Sequence, residues 1–199
     1  MATTYHPTAL VESEQIGSHT RIWAYAHVLS GARIGANCNI GDHAFIEGGA
    51  VLGDGVTIKN GVCVWNGVTL GDGVFVGPNA VFTNDPYPRS PRMANPPARY
   101  RTDAWLRPTC VREGVTIGAN ATIVCGITLG PYAFVGAGAV VTTDVPPYAL
   151  MLGVPARRAG WVCRCAHPLQ QQDDGLLRCP ECGRTYIDHI AGIVPQEMK

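Results

Sequence analysis

The chain has 199 residues, 46% hydrophobic and 15% charged, and its 15 basic and 15 acidic side chains leave a formal net charge of zero. That length suits one main domain with an appendage, and the neutral balance, with its basic cluster confined to one loop, argues against a nucleic-acid partner. No stretch of about 18 apolar residues is present for a membrane span, and the start, Met1-Ala2-Thr3-Thr4-Tyr5-His6-Pro7, lacks the charged and apolar regions of a secretory signal, so a cytoplasmic protein with reduced thiols is expected.

From Ile16 onward every sixth residue is hydrophobic. The series runs through Ile22, Val28, Ile34, Ile40, Ile46, Leu52, Ile58, Val64, Leu70 and Val76 to Phe82. It breaks, then resumes at Val111 and runs through Ile117, Ile123, Leu129 and Val135 to Val141. Chance would produce such a run roughly once in a million. Four residues after each aliphatic comes a small or β-branched residue, as in Ala26, Ala44, Val62 and Ala121. A six-residue period fits neither a helix nor a simple alternation. It fits a short strand and a tight turn, repeated so that stacked coils bury columns of aliphatics.

This pattern resembles the hexapeptide-repeat acyltransferases. The resemblance implies an all-β fold, a left-handed parallel β-helix of about six coils. One long loop (residues 83–110) would interrupt a domain covering residues 1–160, and a zinc-ribbon-like extension would occupy residues 161–199. It also implies a homotrimer with active sites between subunits. Three further stretches, His6-Pro7-Thr8-Ala9, Thr20-Arg21-Ile22-Trp23 and Phe82-Thr83-Asn84-Asp85-Pro86-Tyr87-Pro88-Arg89, are similar to N-acetyltransferases of nucleotide-linked 3-amino sugars. Those enzymes, of the UDP-2-acetamido-3-amino-glucuronate or dTDP-3-amino-3,6-dideoxyhexose type, serve glycan biosynthesis. The expected reaction is attack of a sugar amine on the thioester of acetyl-CoA.

In chain order, Trp23, Tyr25 and His27 project from the first coils, where they can stack on a pyrimidine, make a trimer contact or cap the exposed hydrophobic end. Glu47 on a later coil can meet sugar hydroxyls. One coil is 18 residues, so Trp65 lies beneath Thr83 and Asn66 beneath Asn84, a column that makes a pocket wall. Amine acylation needs a free amine, donors for the developing oxyanion and a path for one proton. Asn84 can donate an amide N–H or hold the amine, and Asp85 can accept a proton or orient the ammonium. The same two residues can simply launch the loop as a turn. The loop carries Arg89, Arg92, Arg99, Arg101 and Arg107, guanidinium forks that suit a diphosphate or carboxylate. It can equally be an arm that wraps the next subunit. No histidine lies between His43 and His167, which favours an amine acceptor over a hydroxyl that needs a base. An acyltransferase using another acyl donor or a hydroxyl acceptor, and a non-catalytic β-helix binding protein, are the alternatives.

The later coils supply Gly118-Ala119 and, one coil on, Gly136-Ala137, a surface poor in side chains on which a pantetheine arm can lie. Gly153-Val154-Pro155-Ala156-Arg157-Arg158 resembles the family's terminal coenzyme motif, with Pro155 packing on adenine and Arg157 or Arg158 meeting phosphates. Beyond it, Cys163-Arg-Cys165 and Cys179-Pro-Glu-Cys182-Gly have zinc-knuckle character, the first half one residue shorter than usual. With four thiolates and no open position, such a zinc would be structural, and His167 could replace Cys163 or Cys165 as a ligand.

Overall fold

The structure is a computed structural model describing residues 2–190 and 192–196. It is a three-sided prism of parallel strands with a small antiparallel sheet at its C-terminal end. The first face runs from Thr4–Tyr5 through Arg21–Ile22 and Phe75–Val76 to Ala149–Leu152, the second from Leu10–Val11 through Val81–Phe82 to Val140–Val141, and the third from Arg33–Ile34 to Thr128–Leu129. Strands pair in register with those one coil away, as Arg21 with Asn39 and Cys63 with Val81. The aliphatic of each hexad points inward, and from Ile22 to Val141 none of the periodic series exceeds 4% exposure.

The eighteen hexads account for six coils, and the stack continues past them at both ends. Thr4 pairs with Arg21 and Leu10 with His27, while Phe134 pairs with Leu150. These end coils are one or two residues shorter than 18, which takes them out of phase with the period.

Three edges join the faces, and each carries a column of left-handed residues. Edge I, between the first and second faces, holds Tyr25, His43, Gly61, Asn79, Asn120 and Gly138. Edge II, between the second and third, holds Gly31, Gly49, Gly67 and Gly126. Edge III, between the third and first, holds His19, Asn37, Gly55, Gly73, Gly114, Tyr132 and Tyr148. Small polar side chains at the turns tie one coil to another: the Ala36 N–H donates to Asp54 Oδ1 (2.7 Å) and the Asp54 N–H to Asp72 Oδ1 (2.8 Å).

The long loop leaves the second face after Val81–Phe82 and rejoins the third at Thr109–Val111, so it springs from edge II. Inside it are two short 3-10 turns, Ala98–Arg101 and Asp103–Trp105. After Ala149–Leu152 the chain reverses, and Arg157–Trp161 runs antiparallel beside it. The terminal sheet is built from Gln170–Gln171, Leu177–Arg178, Thr185–His189 and Gly192–Pro195. Its small core joins Leu177, Tyr186 and Ile193 to Tyr148 of the prism. Too few aliphatics are present for a separate core, so the sheet shares one with the last coil.

Candidate functional site

At the root of the loop, edge II gathers the column expected from the 18-residue translation. The Asn84 side-chain amide reaches the Asn66 carbonyl at 3.4 Å, and the Asn66 N–H donates to Glu47 Oε2 at 2.7 Å. Asn66 Oδ1 tucks over Gly49, where a Cβ would sit 2.3 Å from that oxygen, and the backbone there is left-handed (φ +89). Glycine is therefore required to seat the Asn66 side chain. The Trp65 indole N–H donates to the Phe82 carbonyl at 2.9 Å, fixing the ring against the loop's first residues. Two bonds lock the backbone beside Asn84: the Arg107 N–H donates to the Asn84 carbonyl (2.9 Å), and the Cys125 N–H to Thr83 Oγ1 (2.9 Å). The Asn84 amide is thus half-buried on an immobilised corner, with its second N–H and its Oδ1 free of any other described protein bond.

From this corner a row of rings descends the second face. Trp65 packs on Phe45 (5.6 Å between centroids) and Phe45 on His27 (5.5 Å). His27 Nε2 lies 3.1 Å from Glu12 Oε1. That contact, with the Ser30 N–H, holds the exposed Glu12 carboxyl below its usual range. Phe45 was not singled out in the sequence, although it lies one coil above His27 and one below Cys63. Stepping by 18 from His27 finds it.

Both Asp85 carboxylate oxygens accept bonds from within the loop. Its Oδ1 accepts the Tyr87 N–H (2.8 Å) and its Oδ2 the Tyr100 hydroxyl (2.7 Å). Desolvation opposes ionisation here, but the Tyr100 and Tyr87 bonds and the nearby Arg99 guanidinium outweigh it and keep the carboxyl below its usual range. Tyr100 in turn accepts the Arg89 N–H (2.7 Å). The Arg89 guanidinium reaches the Pro88 carbonyl (3.2 Å). It shares a shallow open pocket with Tyr87 and Arg99 on the exposed arm. Tyr100 organises all of this and carries no periodic signal, so sequence reasoning passed over it.

Tyr25 is not brought to this corner. It sits on edge I, stacked on His43 (5.0 Å between centroids) and 61% exposed, and the strand that follows it lies three coils from Val81–Phe82.

The expected coenzyme surface also follows edge I. Gly118 and Gly136 occupy equivalent places in successive coils, and both approach their neighbours closely. A Cβ at Gly118 would lie 2.5 Å from the Ala137 nitrogen, and one at Gly136 would lie 2.3 Å from Leu152 Cδ2. Their closeness serves coil stacking, and the exposed surface is made by Ala137, Gly138 and half-buried Ala119. The next level on this edge is Gly153, whose carbonyl accepts the Val140 N–H (3.0 Å), followed by exposed Pro155 across a cis peptide bond. Arg157 and Arg158 begin the reversed strand and face solvent, with the Arg158 guanidinium 4.3 Å from the Trp161 ring centroid.

The four C-terminal cysteines converge. Their sulfur atoms all lie within 4.8 Å of one another, with close pairs Cys163–Cys182 (3.4 Å), Cys165–Cys179 (3.5 Å) and Cys165–Cys182 (3.6 Å). Tetrahedral zinc–thiolate geometry sets sulfurs about 3.8 Å apart, so this donor set fits one zinc ion. Burial pushes the Cys163 thiol up, but the Cys165 N–H, the Tyr186 hydroxyl and the Cys182 thiol outweigh it and bring its pKa down to about 6. A thiolate is the form that binds metal. No described helix is long and apolar enough to cross a membrane.

Comparison with known proteins agrees with this architecture. The bacterial transferase hexapeptide family (six repeats) matches residues 15–48 and 49–84, and the hexapeptide repeat of succinyl-transferase matches residues 108–143. Over 191 residues, 96% of this chain and 93% of the relative, the sequence is 49% identical to dTDP-3-amino-3,6-dideoxy-alpha-D-galactopyranose 3-N-acetyltransferase of Aneurinibacillus thermoaerophilus. Among solved structures, PerB from Caulobacter crescentus, in complex with CoA and GDP-perosamine, aligns with a TM-score of 0.50 at 23% identity, covering 80% of this chain and 58% of that one. A point mutant of AntD, an N-acyltransferase from Bacillus cereus in complex with dTDP and coenzyme A, gives 0.51 at 16% identity, covering 81% and 82%. At these identities the two structures speak for the fold.

Proposed function

The chain belongs to the bacterial hexapeptide-repeat transferases, and from that membership we propose that it is an acetyl-CoA-dependent N-acetyltransferase of a dTDP-linked 3-amino sugar. The observation that carries this reading is the 49% identity held across 96% of the chain to a 3-N-acetyltransferase of that substrate class. The residues of edge II give it a chemistry. The free amine of the sugar attacks the thioester carbonyl; a C–N bond forms, the C–S bond breaks, and one amine proton leaves with the CoA thiolate as the thiol. The Asn84 side-chain amide, held by the Asn66 carbonyl on a backbone fixed by the Arg107 N–H, donates to the developing oxyanion or fixes the amine. Asp85, with both oxygens engaged and its carboxyl held acidic, is a poor proton acceptor and acts by holding the loop. The departing thiolate is the better acceptor. Trp65 and Glu47 complete the wall, and His27 and Arg89 extend the sugar-nucleotide side.

Asn84 and the coenzyme surface lie on different edges of one prism, separated by the second face, at most about 20 Å of extended chain. A contact placing edge II of one copy against edge I of another brings them together. Repeated around a triangular prism, that heterologous contact closes as a homotrimer. Ala119, Ala137 and the exposed backbone beside Gly118 and Gly136 then carry the pantetheine arm, and Pro155, Arg157 and Arg158 the nucleotide end. The four cysteines hold a structural zinc, which suits a cytoplasmic location where thiols stay reduced.

The test is thiol release from acetyl-CoA with dTDP-linked and UDP-linked 3-amino sugars as acceptors. Turnover with the dTDP-linked 3-amino-3,6-dideoxyhexose is expected. Turnover only with a hydroxyl acceptor, or none with any sugar, would overturn the reading.

A further inference from the structure

We infer that the four-cysteine cluster anchors the coenzyme hairpin, with Trp161 and Tyr186 as the positioning residues that connect the two. This rests on the coenzyme reading of Pro155, Arg157 and Arg158. The hairpin pairs Ala149–Leu152 with Arg157–Trp161, and its register shifts between Leu150 and Met151. At its open end it has no further coil to pack on, so its outer strand needs another hold. That hold begins directly after Trp161. The Val162 N–H donates to the Tyr148 carbonyl (2.8 Å), and Cys163, 1% exposed, is the next residue.

Two contacts join the cluster to the hairpin. The Tyr186 hydroxyl lies 3.1 Å from Cys163 Sγ and accepts the Arg164 N–H at 3.0 Å. Toward a Cys163 thiolate the hydroxyl is the donor, while its oxygen accepts the Arg164 N–H. The Tyr186 ring packs on Tyr148 (5.2 Å), which stacks on Tyr132 (5.3 Å), so the same residue touches the prism's last coil. Trp161 packs against both the prism core and the terminal core, and its ring carries the Arg158 guanidinium. Fixing Cys163 therefore fixes the end of the strand that begins with Arg157 and Arg158. Phosphate recognition by arginine depends on where the fork is held.

Calorimetric titration of CoA into zinc-loaded and metal-stripped full-length protein tests this, with dTDP alone as the control ligand and amide exchange followed in parallel. Stripping should raise the CoA Kd on the order of tenfold, leave the dTDP Kd unchanged, and speed exchange at Arg157–Trp161 but not at Thr122–Ile123; zinc should restore all three. Tyr186→Phe keeps the ring and the four thiols. It should keep its zinc and raise the KM for acetyl-CoA about threefold at unchanged kcat and unchanged KM for the sugar. CoA affinity equal with and without metal would overturn the inference. If zinc-loaded protein binds no CoA, the coenzyme reading fails by itself; exchange in the hairpin unmoved by stripping would then overturn the anchor as well.

Discussion

The prism and the terminal sheet solve the same problem, ordering short strands, by opposite means. In the prism each coil repeats the last, and the burial of Ile22, Ile40 and Ile58 is one column of many equivalent contacts. In the sheet the buried aliphatics are Leu177 and Ile193, with Tyr186, and the rest of the interior is sulfur and borrowed prism surface. Redundancy spreads stability across the prism, so losing one contact costs what that contact contributes. The sheet concentrates stability in four side chains, so losing them removes the fold.

Breaking the sheet should therefore give the largest effect. With zinc on the four cysteines as proposed, chelation, or Cys179→Ser combined with Cys182→Ser, should remove about 10 kcal/mol or more. Amide protection across Thr185–His189 should vanish while that at Thr122–Ile123 persists; protection retained in both would erase the contrast. Within the prism, Phe82→Ala deletes a fully buried ring at the strand that launches the loop. It should cost about 3–5 kcal/mol by denaturant unfolding, with the terminal sheet still formed. Asn84→Ala separates chemistry from architecture: kcat should fall about a hundred- to a thousandfold, with stability within about 0.5 kcal/mol of the parent. Gly118→Ala sharpens the account of coil stacking. Its Cβ would meet the Ala137 nitrogen at 2.5 Å, and about 1–3 kcal/mol of destabilisation is expected in the same unfolding assay.

The smallest effect is on pH. The Asp85 carboxyl is held below its unfolded value, so its bonds to Tyr87 and Tyr100 stabilise the loop above the ordinary carboxylate range, near pH 4. That contribution is lost as pH falls through the lower folded value. The Tyr87 amide resonance should shift in that acidic window and stay constant above it, and Asp85→Asn should abolish the acid transition.

Much of the candidate site was legible wherever the 18-residue translation applies. Asn66 beneath Asn84, Trp65 beneath Thr83 and Gly118 beneath Gly136 are statements about a lattice, and a lattice is written in the period. The cysteine cluster was legible from spacing, because a knuckle turn brings two thiols together locally. Tyr100 was not legible, since its hold on Asp85 crosses fifteen residues of aperiodic loop. The separation of Asn84 and Tyr25 onto different edges was legible, because their offset of 59 residues is not a multiple of the 18-residue coil.

By itself, then, the sequence determined the coil, its inward columns and the place where the loop leaves it. A strict six-residue period with one aliphatic per repeat admits essentially one way to bury those side chains. Only the tertiary structure decided that Asp85 bonds Tyr87 and Tyr100 within the loop, that Gly118 and Gly136 lie close against the next coil, and that the terminal sheet takes part of its core from Tyr148. Each of those depends on contacts between residues that no repeat relates, and such contacts exist only once the chain has closed on itself.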